Sequence, residues 1–208
     1  GPMMLMIVLL VALQRLMMGF GTPYRVREQF LFFMTYAIVF SLLLADTVLL
    51  FLDRFISDCI YRRRLQDVMP ALYGIAFFLL LLGAPAAGAY LCTLPVGWNV
   101  RLAAGLLFCV LLVLWVQMAC LSAVKRYEYL LLGFLAGTAT ALVLAWVFLR
   151  LGAAPLSAAL WGTALGFLVL LFLYMGQLLA CYPSGGWNLV VFFPALQRYA
   201  GLLLTGLL

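Results

Sequence analysis

The chain contains no histidine, so it lacks both the commonest general base and the commonest metal ligand. Charge is scarce as well. Twelve Lys and Arg and six Asp and Glu are 9% of 208 residues. The phosphate-cradling spacing G-x-x-x-x-G-K-[ST] is absent, so this sequence offers no P-loop for ATP hydrolysis. Its five cysteines (Cys59, Cys92, Cys109, Cys120 and Cys181) never fall in C-x-x-C spacing. Most sit in or beside apolar runs, where cysteine acts as a small hydrophobe. No carboxylates are paired at glycosidase-like positions. These absences argue against an enzyme and call for no metal or cofactor. A transporter or a membrane scaffold remains.

What the chain has is apolar length. Hydrophobic residues are 69% of the sequence, and the mean hydropathy is +1.24. Apolar runs lie at Met3–Phe20, Phe30–Leu52, Val68–Leu91, Leu102–Leu121, Tyr129–Leu149 and Leu156–Ala180, and a seventh begins near Phe192. About 20 helical residues, at 1.5 Å each, cross a hydrocarbon core about 30 Å thick. The runs are too long for barrel strands and lack their alternation, so helices are the expected form. The fold class is all-α: a polytopic transmembrane bundle of six to seven spans. Residues 1–180 make a first bundle, and 181–208 a loop and the start of a seventh span.

Basic residues set the orientation. Arg54, Arg62, Arg63 and Arg64 follow span two, Lys125 and Arg126 follow span four, and Arg198 lies just inside span seven. The opposite side holds Arg25, Arg27, Arg101 and Arg150, with Arg15 nearby. The loops after spans two and four are therefore placed in the cytoplasm. Gly1-Pro2 opens the sequence with no basic residue ahead of the first apolar run, and the sequence stops inside span seven. Both features lead us to expect further sequence at both ends.

Polar groups inside apolar runs are costly and usually face a bundle interior or a water-filled cavity. Four qualify as transport or cavity candidates: Asp46, Arg15, Gln117 and Gln177. Asp46 is either a cavity residue or a structural partner of a polar group on a neighbouring helix. Arg15 either lines a path for an anionic or hydroxyl-rich substrate or snorkels to the outer interface, which its position favours. Depth argues against pairing these two. Arg15 lies about 20 Å outward along span one, whereas Asp46 lies about 25 Å inward from Phe30. Gln117 and Gln177 are more often interhelical glue than substrate contacts.

Gly133/Gly137 and Gly162/Gly166 form two G-x-x-x-G pairs, a spacing that lets helix backbones approach closely. Pro85, beside Gly83 and Gly88, removes a backbone hydrogen bond within span three and favours a kink there. The segment from Asp53 to Arg64 continues helically out of span two with mixed charge. It reads as a headgroup-binding segment, or more sharply as a docking surface for a cytoplasmic partner, and the two roles are compatible.

Several phrases, in order, resemble the PelG family of inner-membrane transporters, which belongs with the MOP (multidrug/oligosaccharidyl-lipid/polysaccharide) flippase-like exporters. They are Arg54-Phe55-Ile56-Ser57-Asp58 with the arginines after it, Val68-Met69-Pro70, Lys125-Arg126-Tyr127 and Cys181-Tyr182-Pro183-Ser184. Gly1-Pro2 ahead of an apolar run also matches the family's first helix. The resemblance implies the N-terminal half of a twelve-helix transporter that exports the Pel exopolysaccharide, an N-acetylhexosamine polymer of biofilm matrix, across the bacterial inner membrane. It also implies a cytoplasmic glycosyltransferase and two further membrane subunits as partners, one of them a sensor of cyclic di-GMP. Arg54, Arg62, Arg63, Arg64, Lys125 and Arg126 would then offer the docking side, or hold anionic lipid. Two alternatives stay open: a lipid-linked oligosaccharide flippase, and a non-transporting scaffold for a polysaccharide synthase.

Overall fold

The protein is described by a computed structural model covering residues 2–62, 65–123 and 127–182. Six helices follow one another: α1 (Pro2–Gly19), α2 (Tyr24–Tyr61), α3 (Val68–Thr93), α4 (Trp98–Ala123), α5 (Tyr127–Arg150) and α6 (Pro155–Cys181). A short 3₁₀ turn, Leu65–Asp67, leads into α3, and no strand forms among the described residues. Five helices are long and apolar enough to cross a membrane. The apolar stretch of α1, Met4–Gly19, is shorter than the other five. The run from Phe192, Arg198 within it, and Arg63, Arg64, Lys125 and Arg126 lie outside the described residues.

Local chemistry sets the helix ends. Gly21 (φ 69°) and Gly152 (φ 79°) adopt the left-handed conformation that glycine tolerates best. After α1, Thr22 N–H reaches back to Met17 O at 3.2 Å, and after α5, Ala153 N–H reaches Phe148 O at 3.1 Å. This is the Schellman closure of a helix C-terminus. Pro155 opens α6, where its missing N–H is not needed. Pro85 lies inside α3, which runs as one helix from Val68 to Thr93.

The hub is α4, 72% buried over its apolar window against 28–33% for the other four long helices. It packs on α2, α3 and α6; α6 packs in turn on α5, and α1 lies chiefly against α5. Trp115 on α4 donates its indole N–H to Ser41 Oγ on α2 at 3.0 Å. Tyr182, just past α6, donates to Cys120 O on α4 at 3.2 Å.

The α5–α6 contact is an antiparallel ladder with a four-residue step. Gly162 faces Ala145, Gly166 faces Ala141, Leu170 faces Gly137 and Tyr174 faces Gly133. A Cβ at Gly166 would stand 2.6 Å from the Ala141 backbone, and one at Gly162 2.7 Å from the Ala145 backbone. At the other end of the ladder, glycine makes room for large side chains. Cβ atoms at Gly133 and Gly137 would meet Tyr174 at 2.5 Å and Leu170 at 2.8 Å. Close backbone approach supplies the dispersion contacts that hold helices together where lipid offers no hydrophobic drive.

Candidate functional site

The two faces of α2 differ sharply. Phe30, Phe33, Met34, Ala37, Ser41, Ala45, Val48, Phe51, Leu52, Phe55, Ile56 and Cys59 are buried, in steps of three and four. The opposite face is exposed and runs the length of the helix: Phe32, Tyr36, Phe40, Leu43, Asp46, Leu50, Arg54, Ser57 and Tyr61. These positions recur at helical period, so they form one stripe. At 1.5 Å per residue the stripe is over 40 Å long, longer than the hydrocarbon core is thick.

Asp46 sits on this stripe and makes no hydrogen bond or ion pair with any described residue. An ionised carboxylate at such depth costs about 2.5–3.5 kcal/mol on insertion scales if it meets hydrocarbon. Towards the basic loops, Asp53, Arg54, Ser57 and Tyr61 continue the stripe around a shallow, open hollow. Arg54 and Arg62 are exposed there.

Towards the opposite end, the stripe borders a groove of about 270 Å³ between α2, α3 and α4. Aromatic rings line it: Phe32, Phe33, Tyr36 and Phe40 from α2, Tyr90 from α3 and Phe108 from α4. Phe32 and Tyr36 have ring centroids 4.3 Å apart, and Tyr36 stacks on Phe40 at 5.6 Å. Ala37 and Leu44 on α2, Ala86, Ala87 and Leu91 on α3 and Ala104 on α4 form the rest of the wall. The short alanine side chains keep the space between the helices open. Close by, a Cβ at Gly83 would stand 2.5 Å from Leu112, so α3 and α4 touch just beside the groove.

The remaining candidates do not converge on this face. Arg15 is exposed on α1, one turn from its end, and forms no pair with Asp46. Gln117 is 1% exposed, with its Nε2 placed 3.7 Å from Met175 Sδ on α6 and its Oε1 without a partner. Gln177 is half-buried on α6 and is not hydrogen-bonded to Gln117. Gly133, Gly137, Gly162 and Gly166 lie in the α5–α6 ladder. Among the described residues, no cluster of three or more His, Cys, Asp or Glu is placed to hold a metal.

The end of the bundle away from the basic loops carries arginine–aromatic contacts. Arg150 lies over Trp146 at 5.2 Å and Phe20 at 5.9 Å, and Arg27 over Tyr24 at 5.5 Å. Arg101 donates to Leu94 O at 2.8 Å. Cations stacked on aromatic rings suit the membrane–water boundary.

The sequence marks the aromatic groove only faintly, through the i, i+4 spacing of Phe32, Tyr36 and Phe40, a signal that carries no hint of the α3 and α4 walls. The small-residue run Ala84–Ala89, with its single proline and glycine, is a second faint mark.

No curated protein and no solved structure matches the chain. A family model, PelG, described as "Putative exopolysaccharide Exporter (EPS-E)", matches residues 1–208, the whole of the chain. With its long apolar helices, this multi-pass membrane chain belongs to the PelG family of polysaccharide exporters.

Proposed function

We propose that these residues form the first helical bundle of a Pel-type exporter in the bacterial inner membrane. In this reading the polymer of N-acetylhexosamines travels along the exposed face of α2, against a second bundle. The observation that carries it is Asp46, a carboxylate without a partner on the outward stripe of an apolar helix in a family of exporters. A wall that meets only lipid gains nothing from such a group, whereas a hydrated path for a hydroxyl-rich polymer accommodates it. With no P-loop in the sequence, polymer elongation or an ion gradient supplies the motion. By the charge bias of the sequence, the basic residues Arg54, Arg62, Arg63, Arg64, Lys125 and Arg126 fall on the cytoplasmic side, where the glycosyltransferase and membrane subunits of a synthase complex dock.

The test is Asp46→Asn in the full-length protein. Export is expected to fall on the order of tenfold, the scale of one lost charge-assisted hydrogen bond, with membrane insertion and assembly unchanged. Normal secretion by this variant would remove Asp46 from the path and favour the scaffold, for which substitutions on this face are silent.

A further inference from the structure

The aromatic groove between α2, α3 and α4 lies beyond the charged part of the α2 stripe. We propose that it is a stacking site for a sugar ring of the exported polysaccharide; this rests on the exporter reading above and adds a binding site to it. At about 270 Å³, its volume is close to the roughly 300 Å³ at which small-ligand pockets begin.

The lining chemistry selects the occupant. A pyranose has an apolar C–H face and a rim of hydroxyls, so it fits beside aromatic rings with hydrogen-bonding groups at their edge. An acyl chain needs neither. Tyr36 and Tyr90 are 42% and 46% exposed, and neither hydroxyl has a hydrogen-bond partner among the described residues. The buried tyrosines behave otherwise: Tyr174 donates to Leu130 O at 2.6 Å and Tyr182 to Cys120 O at 3.2 Å. Both tyrosines line the groove, and their unpartnered hydroxyls can serve a polar ligand at its edge.

Position supports the same occupant. Tyr36 and Phe40 share the stripe with Asp46, and six residues, about 9 Å of helix, separate Phe40 from the carboxylate. A polymer moving along α2 would pass from the charged segment directly onto the stacked rings. Aromatic contact is tolerant of sequence and rotation, which suits a surface over which a chain must slide.

The test replaces Phe40 with a photoreactive benzoylphenylalanine in the full-length protein, within cells that secrete the polysaccharide. Phe77, exposed on α3 and outside the groove, serves as the comparison position. Mass spectrometry of the adducts is expected to show hexose or N-acetylhexosamine at position 40 and not at position 77. Ala86→Leu, which fills the groove from an exposed position, and Tyr36→Leu should each cut the sugar adduct by about three- to tenfold, the scale of one aromatic stacking contact. Tyr36→Phe should lie between these variants and the parent. Only lipid adducts at both positions, in cells whose secretion requires the gene, would overturn the groove and leave the exporter reading standing. Secretion that survives deletion of the gene would overturn both.

Discussion

At the scale of single residues, the bundle is fastened by few polar contacts, each on a specific atom. Tyr174 shows the pattern: its ring fills the space left by Gly133, and its hydroxyl caps the Leu130 carbonyl on the neighbouring helix. Tyr174→Phe keeps the ring and removes only the hydrogen bond, so it should cost about 0.5–1 kcal/mol, read as a small fall in the thermal midpoint of detergent-solubilised protein. Gly166→Leu is the severe case. Its first side-chain atom would stand 2.6 Å from the Ala141 backbone, which cannot rotate away, and the expected loss is about 1–3 kcal/mol or more. Gly176→Ala meets nothing within 4 Å and should be neutral or slightly stabilising; a comparable loss there would undermine the ladder. The G-x-x-x-G spacing singled out Gly133, Gly137, Gly162 and Gly166. It gave no sign that their partners are Ala141, Ala145, Leu170 and Tyr174, because pairing depends on helix register in space. Gln117 was likewise visible as a polar residue in an apolar run, but its burial against Met175 was not.

At the scale of the element, the apolar runs mark the helices closely. The run starting at Val68 begins α3 at the same residue, and the run Tyr129–Leu149 lies within α5, Tyr127–Arg150. The largest difference is α2, which continues beyond Phe30–Leu52 at both ends to Tyr24 and Tyr61. Hydropathy reports where lipid is tolerated, whereas helix length also follows from hydrogen bonding that polar residues sustain. The two faces of α2 make a direct prediction. With the five native cysteines replaced by alanine, single cysteines at positions 43, 46 and 50 should react with a water-soluble maleimide. Cysteines at 37, 45 and 48, on the buried face, should not. Equal protection of both sets would mean that the stripe faces hydrocarbon. For α4 the sequence was least informative: it is apolar nearly all round, and such a helix reads as buried without revealing among which neighbours.

At the scale of the whole molecule, orientation rests on the arginines, and it is testable apart from transport. Ala153→Cys, in the exposed connection between α5 and α6, should react with an impermeant reagent applied to the outside of spheroplasts. Tyr61→Cys, at the far end of α2, should react only after the membrane is opened. The opposite result would invert the bundle and the proposed docking side with it. The order of helices in space differs from their order in the chain, and this has a consequence for biosynthesis. α1 finds its main neighbour in α5, which the ribosome completes only after α2, α3 and α4. Roughly 110 residues separate the end of α1 from the start of α5. At a translation rate of about 5–20 residues per second, α1 waits on the order of 5–20 s for its partner. The helical pairs α3–α4 and α5–α6 can close as soon as each leaves the translocon, but α1 must be sheltered by lipid or an insertase until the fifth helix arrives.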